Sequence, residues 1–289
     1  MPDWAYLYHI MKLTIITINR NNASGLEKTM ESVLSQTCKE YEYVVVDGAS
    51  TDASIGVVKR FAESFGGRLK WISEPDKGIY NAMNKGIRMA GGEYVQFLNS
   101  GDRLADRDVV SKMYKALEEK GNPSVLYGNM LKDLPDGRMR RDRSFAGKPI
   151  TLKGMYRGSF NHSPAYIKRD LFDKYGEYDE SLKIVSDWKW YLQSIVLGEE
   201  VPVYVDQDVT VFDMTGISET NLDLLDQERR DQLAVLIKPG ILSDYDAWKA
   251  DWDVMERLRR FPLAYKLVHF MERVLFKLEK KKLREYIKR

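Results

Sequence analysis

A chain of 289 residues, 44% hydrophobic and 30% charged, can bury one sizeable core with an appendage and is too apolar for extensive disorder. Its single cysteine, Cys38, excludes an intrachain disulfide and a cysteine-rich zinc site. The formal net charge of +2 divides unevenly, because residues 251–289 carry twelve Lys/Arg against six Asp/Glu; a slightly acidic body with a basic tail is not the profile of a nucleic-acid binder.

No run of about 18 apolar residues appears, so no transmembrane helix is expected. Residues 1–10 lack a basic start and a small-residue cleavage site, and they read as an extension rather than a signal peptide. The expected location is cytoplasmic. Leu13 to Ile18 is a β-branched run without Gly or Pro, closed by the polar cluster Asn19–Ser24, and reads as a buried strand and turn. Ser24, with Glu27 three residues on, is expected to cap a helix with Leu26, Met30, Val33 and Leu34 on one face. Tyr43 to Val46 is a second strand ending at Asp47-Gly48, and Ser50-Thr51-Asp52 opens a second helix. Leu69–Ser73, Asn81–Ala90 and Tyr94–Leu98 continue as strand, helix and strand. This alternation from residue 12 to about 130 predicts an α/β fold, a mixed and mostly parallel sheet flanked by helices, whose ligands bind outside the carboxyl ends of the strands.

Beyond residue 130 the alternation loosens. Asp133–Lys148 reads as an exposed loop or hairpin, Ser163–Ile167 as a strand, Asp170–Lys174 as a short helix and Asp187–Leu197 as an amphipathic helix. Val201–Phe212 contains two strand candidates, and from Asn221 the chain is helical except at Pro239-Gly240 and Pro262. The expected organisation is a domain over 1–220, with a nucleotide-binding half of about 12–130 and an acceptor half of about 131–220, followed by a basic helical extension over 221–289.

Four segments carry candidate chemistry. Asp102, on the tight turn after Phe97-Leu98-Asn99-Ser100-Gly101, reads either as an Asx-turn residue or as an oxygen ligand for Mg²⁺ or Mn²⁺. Asp47 either ends a strand or accepts hydrogen bonds from a nucleobase edge. Lys77, in the loop Glu74-Pro75-Asp76-Lys77-Gly78, is a solvated lysine or a point charge for a phosphate. Asp187, opening an aromatic helix with Trp188, Trp190 and Tyr191, is a helix cap or a general base.

Taken in order, LTIITINRN, VVVDGASTD, EPDKGIYNAMNKG, YVQFLNSGD, FNHSPAYIKRDLFDKYGEYDE and IVSDWKWYL resemble family 2 glycosyltransferases of the GT-A fold. The likeness runs over about Lys12 to Ser218 and is nearest to the bacterial branch that builds O-antigen, capsule or exopolysaccharide. The resemblance implies donor-binding roles for Thr17, Asn19, Asp47, Lys77 and Asn99, a metal ligand in Asp102, and a catalytic base in Asp187. The implied cofactor is a divalent Mn or Mg ion. Asn99 and Gly101 replace acids of the family's metal motif, and Ser186 replaces the first member of its acidic pair. His162 matches a family histidine with a structural or contacting role, and Thr215-Gly216-Ile217-Ser218 resembles a segment closing over the donor. The implied reaction is an inverting transfer from a nucleoside-diphosphate sugar to a saccharide or lipid-linked saccharide hydroxyl, in surface polysaccharide synthesis.

The tail adds an apolar stripe from Met255 to Leu278 and the basic run Lys280-Lys281-Lys282 with Arg284, Lys288 and Arg289. It reads as a helix on an anionic membrane, at the inner face of the cytoplasmic membrane, or as a helix packed on protein, including a second subunit of an oligomer. Gln227-Glu228-Arg229-Arg230 resembles a Q-x-x-R-W signature of processive synthases, but Asp231 stands in the Trp position and the segment is assigned no role. Two rival readings are a nucleotide-sugar-binding pseudoenzyme, from the changes at Asn99, Gly101 and Ser186, and a sugar nucleotidyltransferase. The latter lacks its Gly-rich phosphate loop after the first strand.

Overall fold

The computed structural model describes residues 12–134, 137–214 and 221–287. Buried β-branched runs form the first strands: β1 (Leu13–Asn19), β2 (Tyr41–Asp47), β3 (Leu69–Ser73) and β4 (Tyr94–Phe97). They are joined by α1 (Ala23–Leu34), α2 (Ser54–Ala62) and α3 (Ile79–Met89). The four strands pair in parallel in the order β3-β2-β1-β4. All residues of β1 and β2 are buried, as a parallel sheet covered on both faces requires.

Alternation divides the two faces. Leu13, Ile15, Tyr43 and Val45 pack with Leu26, Met30 and Val33 of α1, Val57 and Val58 of α2, and Val109, Val110 and Met113 of α4 (Val109–Glu119). On the opposite face α3 lies so close to β1 that a Cβ on Gly86 would stand 2.4 Å from Ile16 Cγ2.

The second half of the sheet is largely antiparallel. It comprises β5 (Arg103–Leu104), β6 (Val125–Asp133), β7 (Met139–Asp142), β8 (Ala165–Lys168) and β9 (Val203–Asp213). The full order is β3-β2-β1-β4-β8-β6-β9-β5, with β7 forming a hairpin on β6 and β9 running parallel to β6. The α/β class and the mixed sheet flanked by helices are those expected from the sequence. Three details differ. Asn22, not Ser24, caps α1: its Oδ1 accepts from Gly25 N at 3.1 Å. Asp52 serves two helix starts, accepting from Ser54 N and from Ala23 N. The segment 201–212 is one strand rather than two. Its polar Asp206-Gln207-Asp208 interruption, which mimics a turn, is held in the sheet edge by Asn129 and Arg141 across a register shift in β6.

Three short helices, α5 (Leu152–Arg157), α6 (Asp170–Tyr175) and α7 (Ser186–Tyr191), surround an aromatic core, and α7 continues as a π-turn over Leu192–Leu197. Phe172 stacks on Trp190 with ring centroids 4.6 Å apart, and Phe160 meets Tyr191 at 4.4 Å. The Trp188 indole N–H donates to Met155 O, and that of Trp190 to Gly176 O. Two compact units divide at Arg229 and Arg230, inside α8 (Leu222–Leu236). The second unit contains α9 (Pro239–Arg259) and α10 (Pro262–Ile287), each with its proline at the helix start, where a missing N–H costs nothing. Among the described residues no helix is long and apolar enough to cross a membrane.

The carboxyl edge of the sheet is latched by Asp47. Its Oδ1 accepts from Asn19 Nδ2 at 2.8 Å and Ser50 Oγ at 2.5 Å, and its Oδ2 from Ser50 N at 2.9 Å and Ser73 Oγ at 2.7 Å. Burial pushes this carboxyl up, but the donors outweigh it and hold its pKa below the ordinary value. A carboxylate with a depressed folded pKa contributes stability above its unfolded pKa and loses it as pH falls through the folded one. Asp47→Asn should therefore cost about 1–3 kcal/mol at neutral pH, with the gap to wild type closing below about pH 4. Urea unfolding across pH reads both. Gly92→Ala should cost about 1–3 kcal/mol at any pH. A Cβ there would lie 2.6 Å from Thr14 N and 2.7 Å from Leu13 C, and the same urea midpoints check it.

Candidate active site

A cleft of about 880 Å³ opens at the carboxyl ends of β1 and β4, between them and α7. Asn19, Asn99, Asp102 and Asp187 all line it, so residues from three distant segments meet in one place. Thr17 and Asp47 lie beneath the wall rather than in it. Thr17 is fully buried, its hydroxyl donating to Leu98 O at 2.7 Å and accepting from the Tyr43 hydroxyl at 3.0 Å. Asp47 is committed to the four donors described above. Lys77 is exposed in the β3–α3 loop, between Asp76 and Gly78, which do line the cleft. Residues 215–218 lie outside the described residues.

The turn after β4 is built around one glycine. Gly101 has φ +107, a backbone state that costs an L side chain dearly, and a Cβ there would stand 2.8 Å from Asp213 Oδ2. The turn is tied down by Thr29, whose hydroxyl donates to Asp102 O at 2.6 Å and accepts from Gly101 N at 3.0 Å. Ser100 Oγ donates to Asn19 Oδ1 at 2.8 Å, so the ends of β1 and β4 are joined side by side. Asp102 itself is buried. Its Oδ1 accepts from Asp213 N at 2.9 Å, while Oδ2 has no partner, and neither does Asn99 Oδ1. Burial pushes the Asp102 carboxyl up to about 7, and the Asp213 charge adds to that; the Asp213 N–H and the nearby His162 oppose it.

Asp187 sits in the first turn of α7 and is held from two sides. Oδ2 is 2.9 Å from His162 Nδ1 and Oδ1 is 3.0 Å from the Tyr80 hydroxyl, which also lies 2.5 Å from Ile184 O. Burial pushes the Asp187 carboxyl up, but hydrogen bonding and charge from His162, with Tyr80 and the Trp188 N–H, leave it below the ordinary value. His162 is raised for the mirror-image reason: burial pushes it down, and Asp187 and then Asp102 overcome it. Its Nε2 is buried without a partner.

Three contributors escape the sequence reading. Tyr80, in the first turn of α3 and just outside the helix span read from sequence, reaches across to Asp187. Glu228 and Arg229, in a segment assigned no role from sequence, are built into the site. Glu228 accepts from the backbone N–H groups of Lys183, Ile184 and Val185, fixing the chain that enters α7. Arg229 lines the cleft with its guanidinium 5.4 Å from the Trp188 ring centroid, and burial lowers its pKa. The only available signal for this pair was the imperfect Q-x-x-R motif.

The sequence model of glycosyl transferase family 2 matches residues 14–181. An uncharacterised glycosyltransferase of Mycobacterium tuberculosis is 33% identical over 208 residues, covering 71% of this chain and 76% of that protein. A PGL/p-HBAD biosynthesis glycosyltransferase of Mycobacterium bovis is 27% identical over 230 residues, covering 79% of this chain and 86% of that one. Two solved structures share the fold. S. aureus TarS in complex with UDP-GlcNAc superposes with a TM-score of 0.59 at 20% identity, over 73% of this chain and 61% of that one. The mannosyltransferase PcManGT of Pyrobaculum calidifontis, in complex with GDP-Man and Mn²⁺, gives 0.62 at 21% identity, over 78% and 64%. The chain thus spans less than two thirds of either solved chain, and at these identities the likeness is one of fold, the GT-A fold. With the family model covering more than half its length, this chain belongs to glycosyl transferase family 2.

Proposed function

We propose that this chain moves a sugar from a nucleoside-diphosphate sugar to an acceptor hydroxyl, with inversion at the anomeric carbon. The observation that carries the reading is the convergence of Asn19, Asn99, Asp102 and Asp187 on one cleft at the sheet's carboxyl edge. Asn19 contacts the nucleoside, with Thr17 and Asp47 supporting it from behind. Lys77, at the rim, takes the diphosphate. Asp187 takes the acceptor proton as the new C–O bond forms and the bond to the diphosphate breaks. Tyr80 and His162 fix the carboxylate and leave lone-pair capacity for the incoming hydroxyl.

The residues present fit a divalent cation. Asp102 Oδ2 and Asn99 Oδ1 are buried oxygens without donors on one strand-end turn that lines the cleft, which is the hard-oxygen chemistry that Mg²⁺ and Mn²⁺ prefer. A bound cation neutralises charge on the departing diphosphate. In this reading a domain over 1–220 carries the transfer and a basic helical extension over 221–289 serves recognition of the acceptor's surroundings. On α10, Leu263, Leu267, Phe270, Met271 and Leu275 are exposed next to a basic end, a combination that suits an anionic lipid surface bearing a lipid-linked saccharide acceptor. The PGL/p-HBAD relative supports a place in bacterial surface glycan assembly.

Three measurements test this. A thermal-shift panel of UDP-, GDP- and dTDP-sugars should show stabilisation by one nucleotide class that requires Mn²⁺ or Mg²⁺, about 2.7 kcal/mol at a hundred times the dissociation constant. No response to any donor sinks the reading. With donor and cation saturating, Asp187→Ala should lower turnover about 10²–10⁴-fold; near-normal turnover removes the base assignment. Vesicles containing anionic phospholipid should co-sediment the full chain but not a chain lacking residues 255–289, and equal sedimentation of both removes the membrane role.

A further inference from the structure

We propose that His162, through Nε2, is a protein ligand of the divalent cation beside Asp102 and Asn99, and that it couples the cation to Asp187. The inference rests on the sugar-transfer reading above and adds a residue to it.

Buried polar atoms without partners are rare in folded proteins. Here Asn99 Oδ1, Asp102 Oδ2 and His162 Nε2 are all buried and all unpartnered, on residues lining one cleft. Their chemistry is the telling point. Asn99 Oδ1 can only accept, and Asp102 Oδ2 becomes a pure acceptor when its carboxyl ionises, which a bound cation favours. His162 Nδ1 stands 2.9 Å from the Asp187 carboxylate, which can only accept, so Nδ1 carries a proton, and a cation at Nε2 would take that nitrogen's lone pair in place of a proton. None of the three atoms is satisfied by another in the structure. They can satisfy a cation. Asp102 and His162 are also near enough for each to feel the other's charge.

The arrangement Asp187–His162–cation has a known physical logic. A metal-bound imidazole donates its second N–H to a carboxylate, which fixes the tautomer, orients the ring and strengthens the nitrogen as a ligand. His162 has that partner in place before any ion arrives. Asp187 would thus act twice: on the acceptor hydroxyl directly, and on the cation through the ring. Among the described residues no group of three or more His, Cys, Asp or Glu side chains surrounds a single point. Asp102, His162 and the Asn99 carbonyl leave coordination positions for the substrate's own phosphates, so the cation should bind more tightly with a nucleoside diphosphate. A nitrogen ligand also favours Mn²⁺ over Mg²⁺, which prefers oxygen alone.

The test is pulsed electron paramagnetic resonance on the full chain with Mn²⁺ and whichever of UDP, GDP or dTDP stabilises it. Wild type should show ¹⁴N modulation from a directly bound imidazole, and His162→Ala should lose it. Asp187→Asn should keep the modulation but bind Mn²⁺ about 10–100-fold more weakly, an effect that a base acting on the acceptor alone would not produce. Tight Mn²⁺ binding by wild type without ¹⁴N modulation overturns the ligand assignment and leaves sugar transfer standing. Unchanged Mn²⁺ affinity in Asp187→Asn overturns the coupling. Failure of all three diphosphates to stabilise the protein overturns the sugar-transfer reading itself, and the cation assignment with it.

Discussion

The site depends on keeping polar side chains at the end of a fully buried parallel sheet. In β1 and β2 every residue is inside, and Asn19 stands in register with Asp47 at the last step of the ladder. A carboxylate there must find donors or be neutralised. Asp47 finds four, from β1, the β2–α2 turn and β3, and so converts a desolvation cost into a clamp that sets the spacing of three strand ends. Ser100 then joins the end of β4 to Asn19. Asn19 can face the cleft because the residues behind it have nowhere else to go.

The other wall is positioned by aromatic packing instead of by strand pairing. The helix α7 is only six residues long, too short to be stable by propensity. Trp188 and Trp190 are buried, and each indole N–H is tied to a backbone carbonyl of another segment. Glu228 satisfies three N–H groups just before it, which the helix start would otherwise leave open. Asp187 is carried by this frame toward Tyr80 and His162. Its position is thus set by four separate segments, and a substitution in any of them reaches the carboxylate without touching it.

This division explains what the sequence disclosed. Strand runs such as Leu13–Ile18 and Tyr43–Val46 announce themselves by composition, and the polar residue closing each run marks the functional edge, so Asn19, Asn99 and Asp102 were legible. The same signal misplaced Thr17 and Asp47 by one layer, because a strand-end polar residue looks alike whether it faces the cleft or holds up the residue that does. Tyr80 was hidden by its position just outside the helix span read from sequence, where no pattern marks its hydroxyl. Glu228 and Arg229 act across 40 or more residues of chain, and no local pattern encodes such a contact. The strand β9 was split in two because Asp206 and Asp208 resemble a turn until Asn129 and Arg141 are brought beside them.

The unusual Asn-Ser-Gly-Asp turn takes on a different meaning in the structure. Counted along the sequence, Asn99 and Gly101 are two lost acids. In space, Gly101 has a positive φ and a would-be Cβ that lies against the Asp213 carboxylate, so no acidic side chain could stand there. A carboxylate is nevertheless present at that point, supplied from the end of β9 instead of from the turn. Asp213 also donates its backbone N–H to Asp102 Oδ1 and, by its charge, raises the Asp102 pKa. The strand end is therefore not without negative charge: Asp102 and Asp213 stand there together, and His162, held by Asp187, lines the same cleft.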